Sequence, residues 1–119
     1  MRIVAPVLLL LLGVVVGSVL LRGGDGALHP DDPRHATGHD RIVMLAAEWC
    51  GYCRRQQAEF DRAGVRYQRL DIDTDAGSRA LRALGAKGVP VTVIGQDVVR
   101  GYDIAALGGK LAPLGYRIY

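Results

Sequence analysis

The chain is short of aromatic residues and of cysteine. Aromatics make up 6% of its 119 residues, with one Trp and one Phe, so the apolar half of the composition rests mainly on Ala, Val and Leu. Two cysteines, Cys50 and Cys53, exclude a disulfide scaffold, because one link closing so short a loop constrains the unfolded chain little. There is no second Cys-x-x-Cys to complete a four-thiolate zinc site. No charge sign dominates: the net charge of +3 is spread along the chain and forms no basic stripe for nucleic acid. The length excludes a two-domain enzyme or a large barrel. No internal repeat and no nicotinamide or flavin motif is present.

Charge is also missing from residues 3–21, nineteen residues reading IVAPVLLLLLGVVVGSVLL. As a helix they would span roughly 28 Å, close to the hydrocarbon thickness of a bilayer. Arg2 and Arg22 flank the run and no Ala-x-Ala cleavage site follows. Residues 1–22 therefore read as a single-pass membrane anchor, with a signal peptide as the alternative. Basic residues stand on both sides, so their count does not orient the segment. The very short N-terminal flank favours export, which places the domain on the periplasmic side of a bacterial inner membrane. Residues 23–40 hold four Gly, two Pro, four Asp and three His and show no apolar period. They read as a flexible linker. Its histidines, His29, His35 and His39, belong to a solvated tether, with metal binding as the alternative.

Residues 41–119 carry the folded domain. Ile42–Ala47 is a continuous apolar run, as expected of a strand buried on both faces. From Cys50 the sequence turns helical, with Cys53, Gln57, Phe60 and Gly64 on one face and Gly64 as its stop. Val65–Asp73 reads as a second strand. Thr74 or Asp75 caps a helix with Ala76, Ala80, Leu81 and Leu84 on its apolar face. Val89–Ile94 reads as a third strand entered through Pro90. Gly95–Asp97 is a turn, Val98-Val99 begins a fourth strand, and Asp103 caps a last helix bearing Ile104, Leu107 and Leu111. The order is β-α-β-α-β-β-α. A crossover helix makes the first two strands parallel, and the last two form an antiparallel hairpin. Nothing in the pattern calls for an obligate oligomer, and the chain reads as a monomer.

Cys50-Gly51-Tyr52-Cys53 stands where the buried strand becomes a helix. Two intervening residues let the sulfurs meet in the first helical turn, close enough to form a disulfide and to release it. Unpaired N–H groups and the positive end of the helix dipole favour thiolate there, and Arg54 and Arg55 add positive charge. Cys50 would be the exposed attacker and Cys53, one turn in, the resolving thiol. Metal ligation and an inert pair are the alternatives. Pro90 opens a strand, and local sequence alone favours a trans proline on an edge strand over a cis one.

Glu48–Arg54 (EWCGYCR), Leu70–Asp73 (LDID), Gly88–Gly95 (GVPVTVIG) and Gly101–Asp103 (GYD), in this order of elements, resemble the glutaredoxin family of the thioredoxin-like superfamily. The resemblance runs from Ile42 to about Leu111. It implies an α/β fold with a mixed four-stranded sheet flanked by helices, here preceded by one transmembrane helix. Cys50 would be the nucleophile and Cys53 the second thiol, with Trp49, Tyr52, Arg54 and Pro90 supporting them and Pro90 in the cis form. Tyr52, Val89, Gly101 and Asp103 would bind glutathione as co-substrate, with no bound cofactor and no metal. Substrates would be disulfide-containing or glutathionylated proteins, reset by glutathione or a partner dithiol. Ala47 stands where glutaredoxins commonly carry a glutathione-binding Lys, and Arg100-Gly101 replaces the usual Gly-Gly pair. Trp49 and Gly51 resemble thioredoxin more. The alternatives are a thioredoxin-like reductase or isomerase that does not use glutathione, and an iron–sulfur-binding glutaredoxin.

Overall fold

The computed structural model describes residues 27–118. The expected anchor over 3–21 lies outside them. Among the described residues no helix is long and apolar enough to cross a membrane. A short helix α1 (Arg34–Thr37) precedes the sequence β1 (Ile42–Ala46), α2 (Gly51–Arg62), β2 (Gln68–Asp71), α3 (Asp75–Ala83), β3 (Val91–Ile94), β4 (Asp97–Arg100) and α4 (Ile104–Leu111). The strands make one mixed sheet in the order β2-β1-β3-β4. β1 and β2 are parallel, as a crossover helix requires, and β3 runs antiparallel to both β1 and β4.

Strand β1 is buried along its whole length, which explains its unbroken apolar sequence. Its alternate side chains feed two cores. Met44 and Ala46 join Cys53, Phe60, Leu107 and Leu111 on one face, while Val43 and Leu45 join Val91, Val93, Ala80 and Leu84 on the other. Full burial of a residue such as Phe60 is worth about 2–3 kcal/mol. Thr74 caps α3 by accepting the Gly77 N–H (3.1 Å), and Asp103 caps α4 by accepting the Ala106 N–H (3.0 Å).

Helix phase differs from the sequence reading in two places. In α2 the buried polar residue is Gln56, not Gln57, and its amide donates to Thr92 Oγ1 at 2.6 Å. In α3 Ala76 is exposed, and Gly77 faces the sheet instead. A Cβ on Gly77 would lie 1.8 Å from the Asp71 carbonyl oxygen, so only glycine lets α3 approach β2 this closely.

The structure also departs from the expected flexible linker over 23–40. Its second half is docked on the domain. Asp32 and Thr37 are buried, and the Thr37 hydroxyl donates to the Gly95 carbonyl. The Gln96 amide donates to the carbonyls of Arg34 (3.0 Å) and Gly38 (2.8 Å). Gly95 itself has φ +58°, and a Cβ there would sit 2.6 Å from the His39 carbonyl oxygen. This strap closes the β3–β4 turn at the end of the sheet away from the cysteines, since Ile42 pairs with Ile94 and Leu45 with Val91.

Asp32 opens the strap. Its carboxylate accepts the Arg34 N–H (2.9 Å) and takes both Nε and Nη2 of the Arg34 guanidinium, at 3.0 and 2.7 Å. The hydrogen bond from Arg34 holds the Asp32 carboxyl below the usual carboxylate range, against the opposing effect of burial. A lowered native pKa gives stability that is present above the unfolded value near ~4 and lost as the pH falls through the native one. Asp32→Asn should therefore cost about 1–2 kcal/mol at pH 7 in chemical denaturation. The gap to wild type should close as the pH falls below about 4. A gap that is independent of pH would contradict this account of the strap.

Candidate active site

Strand β1 ends at the floor of the site. The Cys50 N–H donates back to the Ala47 carbonyl (3.2 Å), and this turn projects Glu48 and Trp49 outward. Cys50 then becomes the N-cap of α2, with φ −88° and ψ 110°, and its Sγ accepts the Cys53 N–H at 3.1 Å. A sulfur here fills the place that a Ser, Thr or Asp oxygen usually takes at a helix N-terminus. Cys50 and Cys53 are joined as a disulfide, with their Cα atoms 5.2 Å apart. Cys50 keeps 6% of its surface exposed and Cys53 none. Both sulfurs are thus buried in the disulfide, where the sequence reading has Cys50 exposed; Cys50 is the outer of the two by this small margin.

The two arginines after the pair part company. The Arg54 guanidinium folds back over the first turn, donating to the Glu48 carbonyl and passing 3.8 Å from a Cβ position on Gly51. Arg55 instead lies over the Tyr102 ring, 5.5 Å from its centroid. Arg54 is the one that adds charge beside the cysteines.

Across from Cys50 stands the Val89–Pro90 peptide, which is cis. The Val89 carbonyl oxygen lies 3.7 Å from Cys50 Sγ. From this corner a groove of about 440 Å³ runs along Gly88, Val89, Pro90 and Gly101; Lys87 and Arg100 also line it, the Arg100 guanidinium donating to the Leu84 carbonyl at 2.9 Å. The Gly101 N–H donates to the Pro90 carbonyl at 2.8 Å and joins the β4–α4 loop to the corner. Val89, Pro90 and Gly101 are thus brought together. Asp103 is exposed nearby, with Oδ1 engaged in capping α4.

Trp49 and Tyr52 flank the pair and are 66% and 63% exposed, the large apolar side chains most open to solvent among the described residues. The Trp49 Nε1–H donates to Asp73 Oδ2 (3.1 Å), and Tyr52 stacks on Tyr102 with centroids 5.7 Å apart. Ala47 is 1% exposed and packed into the core, so the position that resembles a glutathione-binding Lys has no surface here. Of the arginines able to replace that charge, Arg100 lines the groove, whereas Arg79 and Arg82 line a separate hollow with His29 and Asp31. Among the described residues no three His, Cys, Asp or Glu side chains gather at metal-binding distance.

Sequence reasoning missed three residues. Lys87 gives no local signal, because its place on the groove follows from the turn before Pro90. Tyr102 lies inside the GYD motif, and its hydroxyl donates to Glu59 Oε1 at 2.6 Å. That bond, made to a carboxylate, raises the Tyr102 pKa above the ordinary phenol value. Glu59 was legible only as a polar residue one turn beyond Arg55 on α2.

Comparison with known proteins follows this geometry. The glutaredoxin family model matches residues 42–99. A buckwheat glutaredoxin solved in complex with glutathione is 30% identical, covers 68% of this chain and 81% of its own, and superposes with a TM-score of 0.56. Glutaredoxin C1 of the poplar hybrid Populus tremula x tremuloides, in its holo form, is 26% identical over 68% of this chain and 88% of its own, with a TM-score of 0.55. A thioredoxin-like protein is 26% identical over 60% of this chain and all of its own, also with a TM-score of 0.55. No curated protein matches the chain. The matched residues include the strand that carries the pair to the helix N-terminus and the corner that faces it, so the chain belongs to the glutaredoxin family and is a thiol–disulfide oxidoreductase.

Proposed function

We propose that the Cys50–Cys53 pair reduces protein disulfides and glutathione mixed disulfides, with glutathione as the resetting thiol and the chain acting as a monomer. One observation carries the reading: the groove beside the Val89 carbonyl, 3.7 Å from Cys50 Sγ, is lined by two basic residues, Lys87 and Arg100. A tripeptide with two carboxylates fits a cleft lined by backbone polar groups and basic residues. Tyr52, Val89, Gly101 and Asp103 are its proposed contacts.

The chemistry follows from the capped sulfur. Reduced Cys50, as thiolate, keeps the Cys53 N–H and gains the positive helix end, so its charge is stabilised while Cys53 inside the core stays a thiol. The Cys50 thiolate attacks a substrate disulfide, forming one S–S bond and breaking another, and the leaving thiolate takes a proton. With a protein disulfide, Cys53 then loses its proton and attacks Cys50 Sγ, closing the Cys50–Cys53 bond and freeing the reduced substrate. Two glutathione molecules return the pair to the dithiol and leave as glutathione disulfide. With a glutathionylated substrate the mixed disulfide on Cys50 joins it to glutathione, and a second glutathione can resolve it without Cys53.

A reading without glutathione is favoured by the exposed Trp49 and Tyr52, which offer an apolar surface to a protein chain beside the pair. The cysteine variants separate the two. Cys50→Ser should abolish all exchange. Cys53→Ser should lose turnover of an intramolecular protein disulfide yet keep at least a tenth of wild-type turnover on a glutathionylated peptide, with glutathione as reductant. Loss of both activities in Cys53→Ser would favour the reading without glutathione.

The uncharged run over 3–21 supports a further proposal, that the domain is tethered to a bacterial inner membrane and faces the periplasm. The full-length protein should stay with membranes through alkaline carbonate extraction and be cut by protease added to spheroplasts. Release into the supernatant would contradict the tether, and protection from protease would contradict the orientation.

A further inference from the structure

Tyr102 follows Gly101 at the end of the groove, stacks on Tyr52 of helix α2, and is used by none of the chemistry above. Its ring stacks on Tyr52 at 5.7 Å with an interplanar angle of 26°, and the Arg55 guanidinium lies over it, 5.5 Å from its centroid. Its hydroxyl reaches Glu59 Oε1 at 2.6 Å. Tyr52, Arg55 and Glu59 stand on successive turns of α2, the helix that begins at Cys50. Tyr102 therefore grips three turns of the catalytic helix from the β4–α4 loop. The residue before it, Gly101, is fastened to the corner through the Pro90 carbonyl at 2.8 Å. The residue after it, Asp103, caps α4. Tyr102 thus joins the loop after the corner to the helix that carries Cys50.

The partner is equally particular. Among the described residues Glu59 Oε2 is buried without a hydrogen-bond partner, and the donor to this carboxylate is the Tyr102 hydroxyl. A hydrogen bond to a carboxylate is shorter and stronger than one between neutral groups, and losing one partner strands the other. Tyr102 and Glu59 are coupled, and the position of the Gly101–Asp103 loop follows from the coupling.

We infer that Tyr102, held by Glu59, is a positioning residue for substrate: it sets the distance between Tyr52 on helix α2 and the Val89–Gly101 groove, and so governs binding of the glutathione moiety but not attack by Cys50. The inference rests on the glutathione reading of the groove. Removing the hydroxyl or its acceptor frees the loop without touching the capped sulfur, so the affinity for a glutathionylated substrate falls while the reactivity of Cys50 is kept. Because the two groups act as a unit, losing both should cost no more than losing either.

The test uses the full-length protein as wild type, Tyr102→Phe, Glu59→Leu and the double variant. Each is assayed on a glutathionylated peptide and on a plain dialkyl disulfide that lacks the glutathione moiety. Thermal unfolding confirms that each variant is folded. Either single variant should raise KM for the glutathionylated peptide three- to tenfold with kcat changed less than twofold, and the double variant should match the singles. Turnover of the plain disulfide should be unchanged. If wild type prefers the glutathionylated peptide and folded Tyr102→Phe keeps its KM, the assignment of Tyr102 is overturned while the glutathione reading stands. Multiplying effects in the double variant, or equal losses on both substrates, also overturn it, because they mark a general structural role. A wild type that treats the two substrates alike overturns the glutathione reading, and the Tyr102 assignment with it.

Discussion

The structure turns on one hydrogen bond, from the Cys53 N–H to Cys50 Sγ. It makes a sulfur the cap of helix α2, where an oxygen would ordinarily satisfy the first free N–H groups. Everything nearby serves that placement. β1 is buried on both faces and cannot shift, so it delivers Cys50 to a fixed point at the end of the sheet. The Ala47 carbonyl holds the turn, and Arg54 folds back over it. Cys53 falls one turn later and is sealed in the core with Phe60 and Leu107. The same geometry that completes the helix leaves Cys50 a sliver of surface and Cys53 none.

Reactivity without a binding surface would give an unselective thiol, and the second half of the chain supplies the surface. The antiparallel return of β3 brings Val89 and Pro90 opposite Cys50, and β4 brings Arg100 and Gly101 to the same groove. Lys87 and Arg100, from different elements, line that groove, with the Arg100 guanidinium donating to the Leu84 carbonyl. At the far end of the sheet the strap over residues 32–40 closes the β3–β4 turn through Thr37 and Gln96. The hairpin is thus held at one end by the strap and at the other by the Gly101–Pro90 bond.

The order of elements was legible because each has strong local markers. The unbroken apolar run of β1, Thr74 and Asp103 as caps, and the Gly-Gln-Asp turn before β4 all say what they become. The cysteines were legible for the same reason, since a Cys-x-x-Cys after a buried strand leaves few other geometries. The strap was not legible. Its Gly, Pro, Asp and His residues show no apolar period, and it docks through hydrogen bonds to backbone carbonyls, which leave no pattern in a sequence. Gln56 against Gln57 is a question of helix phase, which a face of mixed polarity does not decide. Arg79, Arg82 and Arg100 are alike as residues, and only the fold sorts the one on the groove from the two elsewhere. Glu59 and Tyr102 are far apart in sequence and meet through packing alone.

The central claim is that the capping position, not the Cys-x-x-Cys spacing alone, makes Cys50 the attacking thiolate. The most direct measurement is the rate of alkylation of the reduced protein against pH, with the modified cysteine identified by mass spectrometry. The account predicts that Cys50 reacts first, with a midpoint at least one pH unit below the roughly 8.5 of free cysteine, and that Cys53 stays unmodified across that range. A midpoint at the free-cysteine value, or faster modification of Cys53, would contradict it.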